Sequence, residues 1–378
     1  FPTPFDIQAT NIFVGGLRFP FAFNHPATKN ARRSLTNIGS AGDGTLITAT
    51  PANTGLPFII GAPYSNQTTA KPRGSPGSPF TNAGATTTIG GIVGELKNTN
   101  SRAKNFGIVG SDDTDKNGNL LPDKDRLTTH DVLRVITDAV NQALITRAGI
   151  RRPIGVPVRV HVAVVDRDGS LLGVFRMQDG TNFSYDVAVQ KARTAAFFSD
   201  DTHAFSARAM GFLSQMFFPV GIDNGFRGPY FHLQNTLSLG QIFNGSSDFG
   251  IANRAAKLKL NGKMVNNPLL DGITIFPGGA PLYKNGQLVG AIGVSGDGVD
   301  QDDIVTFAGT KKLISPQPIR SDHLAETKII DFLDSRLTLL DDLYNLDRKT
   351  VKAARQSLVL GLDGVQLPFQ KFPRNPDI

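Results

Sequence analysis

Two separated segments constrain this chain most, residues 158–198 and 276–296. In 158–165 every even position is Val, while Arg159, His161, Ala163 and Val165 occupy the odd ones. That period of two predicts a strand with one dry face and one mixed face. Asp166, Arg167, Asp168 and Gly169 are turn chemistry, because short acids bond their own backbone and glycine accepts positive φ. Residues 171–176 then return as a second strand. Asn182 or Ser184 caps a predicted helix to about Phe198, with Val187, Ala188, Ala192, Ala195 and Ala196 at helical spacing. A second hairpin is predicted over 277–294 around Asn285-Gly286, a dipeptide suited to a tight hairpin turn.

At 378 residues with 40% apolar content, the chain can build one large or two ordinary domains. The absence of Cys excludes disulfides, thiol catalysis, thiolate metal sites and c-type haem attachment. Together with an opening on Phe1 rather than Met, it leads to the expectation of a secreted or periplasmic protein. No apolar run is long enough for a membrane span. The net charge of +7 would suit an anionic partner. The basic residues are dispersed, however, and no nucleic-acid motif accompanies them, so solvated lysines explain most of it.

Residues 1–110 read as an extended Gly/Pro/Thr-rich N-terminal arm. Phe and Pro interleave in 1–23, which predicts an arm laid on the main domain or on a neighbouring subunit, while 55–60 and 89–96 could form short strands. In 111–126, Asp113, Asp115, Asn117, Gly118 and Asn119 reproduce the alternating oxygen ligands of a calcium loop. Lys124 stands where a bidentate Glu is expected, so Asp123 or Asp125 would complete a Ca2+ site. The competing reading is an Asp/Asn/Gly surface turn that binds nothing. An amphipathic helix is predicted over 127–148, capped by Thr128 or Thr129, with Val132, Leu133, Val135, Ile136, Ala139, Val140, Ala143 and Leu144 as its buried stripe. The run of acids at 297–303 reads as the start of a further helix. Beyond it, 311–378 is a helical extension with a Pro-rich tail. Leu324, Ile329, Leu333, Leu337, Leu340 and Leu343 mark an apolar stripe there. That stripe and the Phe-rich arm together predict a homo-oligomer or a subunit of a larger complex.

Catalytic signatures are sparse. None of the six histidines pairs at i, i+4, so no zinc hydrolase site is indicated. No G-x-S-x-G elbow activates a serine. The glycines of 290–296 lack the spacing of a dinucleotide fingerprint and instead indicate close backbone approach, by strands or by a flat ligand.

One resemblance gathers these pieces. Asp166, Gly169, Arg176-Met177 with Asp179-Gly180, Lys191-Ala192-Arg193-Thr194-Ala195, Pro277-Gly278-Gly279-Ala280-Pro281 and Gly290 to Gly296 resemble, in order, the GlcG/HbpS-like haem-binding family, whose domain also ends PduO-type corrinoid proteins. The resemblance covers roughly 127–310, interrupted by an insertion at 199–275. It implies an α+β fold: an antiparallel sheet of two β-hairpins with helices packed on one face. It also implies a haem or related tetrapyrrole ligand. Arg176 and Lys191 would then meet propionates, Phe276, Gly278 and Gly279 would line the slot with Phe197, Phe198 and Phe231, and His203 or His232 would supply an axial donor. Internal salt bridges to Asp166 or Asp179 remain the alternative for Arg176 and Lys191. Two other functions stay open, an accessory subunit with a vestigial pocket and an enzyme acting on a small anionic metabolite.

Overall fold

A computed structural model describes residues 12–14, 17–19, 85–97, 107–151, 153–181, 184–215, 228–231, 257–260, 263–266, 274, 276–344, 346 and 348–370. The expectations for most of the Phe-rich arm, for 55–60, for His232 and for the extreme C-terminal tail lie outside these residues. The chain divides into two compact units, Phe1–Ala83 and Gly84–Ile378. In the first, β1 (Ile12–Val14) and β2 (Leu17–Phe19) form a short antiparallel pair.

The second unit is built on one six-stranded antiparallel sheet. Its strands are β3 (Ala85–Ile89), β4 (Ile92–Leu96), β5 (His161–Asp166), β6 (Leu171–Met177), β9 (Gly279–Lys284) and β10 (Gln287–Ser295), in the spatial order β3-β4-β6-β5-β10-β9. Both predicted hairpins are present. Asp166 closes the first, its backbone oxygen accepting from Gly169 N–H at 3.1 Å while Gly169 sits at φ +82°. Asn285 and Gly286, at φ +50° and +80°, close the second as a two-residue turn. Residues 85–97, read as part of the extended arm, instead add a third hairpin. It is zipped to the sheet where Glu95 faces Arg176 and Leu96 faces Phe175. A separate ribbon within the 199–275 insertion pairs β7 (Lys257–Leu260) with β8 (Lys263–Asn266).

Helices cover both sheet faces, which corrects the expectation of one. On one side lie α1 (Thr129–Ile145) and α4 (Val299–Gly309), packed on Val162, Val164, Leu282 and Ile292. Thr128 caps α1 in a reciprocal box with Asp131, and Leu133 of the predicted stripe is exposed. On the other side α2 (Ser184–Phe197) lays Ala188, Ala192, Ala195 and Ala196 on Ala163, Val165 and Ala291. The physical reason is side-chain size. A Cβ at Gly293 would overlap the Ala188 carbonyl, and one at Gly279 the Lys191 carbonyl, so the helix backbone rests directly on the strands. The face expected to be mixed is therefore dry, and all of β5, including His161, is buried.

A second core is continuous with the end of α2. Phe197, Phe198 and Phe205 bury with Met210 and Leu213 of α3 (Ala207–Leu213) against α5 (Glu326–Tyr344) and α6 (Arg348–Gly361). Ile329, Leu333, Leu337 and Leu340 are thus covered within the chain. That removes the α5 stripe as an exposed face and as an argument for oligomerisation. Ala204 N–H donates to the Ile319 carbonyl and Ser321 N–H to the Ala204 carbonyl, fastening the insertion to the C-terminal extension. Among the described residues no helix is long and apolar enough to cross a membrane.

Candidate functional site

Lys191 stands in the third turn of α2, on the side pressed against the sheet, and is 1% exposed. An ammonium there needs a partner, since removal from water costs several kcal/mol. It has two: Asp302 Oδ2 of α4 at 2.8 Å and the Val294 carbonyl at 2.9 Å. Burial pushes the Asp302 carboxyl up to about 6, against the opposing pull of Lys191. The neighbouring acids are also claimed, Asp303 by Arg208 Nε at 2.8 Å and Asp300 by Arg208 Nη2 at 2.9 Å. Asp303 further accepts Gly278 N–H at 3.2 Å. Gly278 itself is at φ +109°, where a Cβ would come within 3.0 Å of Lys191 Nζ.

The predicted slot between the helix carrying Lys191 and the turn at Gly278-Gly279 is therefore filled by the protein's own groups. Lys191 is engaged internally, with Asp302 as partner rather than Asp166 or Asp179. Gly278 and Gly279 serve close backbone approach. Phe197 and Phe198 belong to the second core, and Phe276 is half-buried, its N–H donating to Thr274 Oγ1 at 3.3 Å.

Arg176 donates twice to the Gly180 carbonyl, at 2.9 and 2.7 Å, and lies 3.5 Å from Glu95. Register sets Glu95, Arg176, His161 and Ser295 side by side across four strands. His161 is fully enclosed, and its Nδ1 has no hydrogen-bond partner among the described residues. Burial, reinforced by Arg176 and Lys97, holds its imidazole well below the ordinary histidine range, so it stays neutral. Asp179 and Asp297 both bind Arg151.

His203 is arranged differently. Its Nδ1 lies 3.0 Å from Asp200 Oδ1 and 2.9 Å from Thr202 Oγ1. Its ring stacks on Phe332 with centroids 4.2 Å apart and planes 10° apart. The Tyr283 hydroxyl completes the mount by donating to the Asp200 and His203 carbonyls at 2.7 and 3.0 Å. Burial pushes the Asp200 carboxyl up, but hydrogen bonds from Thr202 and His203 outweigh it and keep it below its usual range. The side chain is 18% exposed, and Nε2 has no protein partner among the described residues. An imidazole held through one nitrogen by a carboxylate and open at the other has the form of a metal ligand.

The calcium-type loop does not assemble. Asp115 Oδ1 accepts Asn117 and Asn119 N–H at 2.8 and 2.9 Å, and Asn119 Nδ2 donates to Asp115 Oδ2. Asp113 pairs with Arg167, Asp123 with Arg126 and Asp125 with Lys124. Among the described residues no three His, Cys, Asp or Glu side chains are grouped to hold a metal ion. Asp115 thus turns its oxygens to the turn itself, as Asx turns do, and Asp113, Asp123 and Asp125 turn theirs to neighbouring cations.

Residues 127–311 match a family described as "Haem degrading protein HbpS-like". This segment is an HbpS-like domain. Solved structures similar to the chain include the Klebsiella pneumoniae protein ORFY, at 21% identity over 49% of this chain and 88% of that one, TM-score 0.29. A PduOC–heme complex matches at 23% identity over 51% and 99%, TM-score 0.27. A double mutant of Streptomyces reticuli HbpS matches at 21% over 53% and 95%, TM-score 0.29. No curated protein matches the chain.

The HbpS-like domain begins at Leu127, one residue before the cap of α1, and ends two residues beyond α4. It thus contains Lys191 and Asp302, and also Asp200 and His203, while Glu95 and Phe332 reach in from outside. Sequence reading missed Asp302, Asp303 and Arg208 as partners of the marked residues. The only signal was the acid run itself, which reads equally well as a helix start.

Proposed function

We propose that this chain binds haem or a related tetrapyrrole. The observation that carries this reading is the HbpS-like match over 127–311. His203 supports the reading because its Nε2 has no protein partner among the described residues, whereas Lys191 is taken by Asp302 and closely approached by Gly278. At His203 the Asp200 carboxylate fixes the tautomer with the proton on Nδ1, and Nε2 is then a lone-pair donor to iron. Phe332 holds the ring plane. Haem, when bound, would supply the redox chemistry; Asp200, Thr202 and Tyr283 hold the imidazole in place for it.

Hemin titration tests this. Saturable binding with a shifted Soret band is expected, and His203→Ala should move the band and weaken binding. Asp200→Asn should give a smaller change in the same direction, because the imidazole remains but its anchor is weakened, a loss of the order of 10–100-fold in affinity. Absence of saturable binding overturns the reading. The closed region around Lys191 favours one alternative in that event, an accessory subunit whose ancestral pocket has been filled by its own ion pair.

A further inference from the structure

Beside the tip of the second hairpin lies a cleft of about 540 Å³, within the range of small-molecule sites. Five of its lining residues are cations, Lys124, Arg134, Lys284, Lys311 and Lys312, and none is a carboxylate. They come from four places: the loop before α1, α1 itself, the end of β9 and the segment after α4. We infer that this cleft is a binding site for a small dianion, a phosphate monoester or a dicarboxylate.

Lys284 directs its ammonium at the Asp123 and Arg126 carbonyls, both at 2.7 Å, and at Asp131 Oδ2. All three protons are used, so Lys284 braces the wall of the cleft. Arg134 gives one N–H to Asp131 Oδ1 at 3.1 Å, and its remaining donors meet no protein acceptor among the described residues. A planar fork of that kind suits a carboxylate or phosphate. Lys312 is exposed and makes no ion pair among the described residues. Asp138, one turn along from Arg134, feels Lys311, Arg134 and Lys312 together, although burial still raises its carboxyl. Among the described residues, Asp131, Asp125 and Asp138 are carboxylates that touch or face these cations. Asp131 alone faces both Lys284 and Arg134, and Lys312 makes no ion pair among the described residues, so positive charge is in excess at the cleft and a dianion would offset it.

An apolar shelf lies alongside. Ile314 is 60% exposed in the cleft wall next to buried Leu313. His203 does not line the cleft, and the one residue common to both places is Tyr283. Side chains alternate along β9, so the Tyr283 hydroxyl reaches Asp200 and His203 while Lys284 reaches Asp131 on the other side. The inference consequently stands or falls independently of haem binding.

Calorimetric titration of the full chain with phenyl phosphate and with succinate, and with acetate as the monoanion, tests it. At least one dianion should bind saturably at one site, with acetate about tenfold weaker or more. The tighter of the two identifies the phosphate-ester or the dicarboxylate source. Lys312→Glu, at an exposed position, should weaken binding by about tenfold or more, and Ile314→Ser should weaken phenyl phosphate more than succinate. The inference is overturned if neither dianion saturates, if acetate binds as well as both, or if Lys312→Glu leaves binding unchanged.

Discussion

Asp166 shows how a single residue can carry the pH behaviour of this fold. Its carboxyl is 1% exposed at the hairpin turn, accepting Ser170 N–H at 2.9 Å. Burial, and then the neighbouring Asp168, push it up to about 10. Between its ordinary value near 4 and that raised value, the folded chain holds a proton that the unfolded chain has released. Stability therefore falls as pH rises through this window. Asp166→Asn mimics the protonated acid and removes that contribution, so the variant should gain on the parent between pH 5 and pH 8 (roughly the accessible part of the window). Urea unfolding at the two pH values measures this, and an equal loss at both would show that the carboxyl is charged in the folded protein. Lys191 and Asp302 raise the same issue in a different form, because a buried pair holds both partners only while it is intact.

At the level of elements, the contact between α2 and the β9–β10 hairpin is set by glycine. Gly293→Ala would force its new methyl into the Ala188 carbonyl, and the helix must lift from the sheet. A loss at or above about 1–3 kcal/mol is expected, the cost of overpacking a close-fitted interior. Gly286→Ala meets no neighbour and suffers only its positive φ, a cost of about 1 kcal/mol. Thermal melts of the two variants should therefore rank Gly293→Ala well below Gly286→Ala, and a reversed order would dismiss the close-contact account. These elements were legible in sequence to different degrees. Both hairpins, α1 with its Thr128 cap and the span of α2 follow from local rules: alternation, turn residues and capping groups. That α2 takes the second face was not legible, because small residues such as Ala163 and Ala291 leave the identity of the covering element open. Nor was the choice of Asp302 for Lys191, 111 residues away, since several acids fit a charge argument equally well. The 113–125 loop misled because alternating oxygens serve a turn and a cation alike. His203 was picked out for its type, while the Asp200 anchor and the Phe332 stack that give it shape come from the fold.

Across the whole molecule, the two cores are joined through the end of α2. Arg336 of α5 donates to the Ser199 carbonyl at 3.2 Å and lies over the Phe197 and Phe332 rings. Leu337→Ala, at a fully buried site in α5, should cost about 2–5 kcal/mol. If the cores unfold together, amide exchange in β5 should accelerate with it; protection of β5 unaffected by the substitution would mean that α5 and α6 melt on their own. Phe198 and Phe205 fall inside the HbpS-like match, yet the leucines that shelter them fall beyond residue 311. Cut at its family borders, the segment would carry an oily scar where α5 once lay, and it would also lose Glu95 beside Arg176. The stretch that carries the family match is thus shorter than the stretch whose side chains close its surface, and a fragment cut at residues 127 and 311 would leave Phe198 and Phe205 open to water.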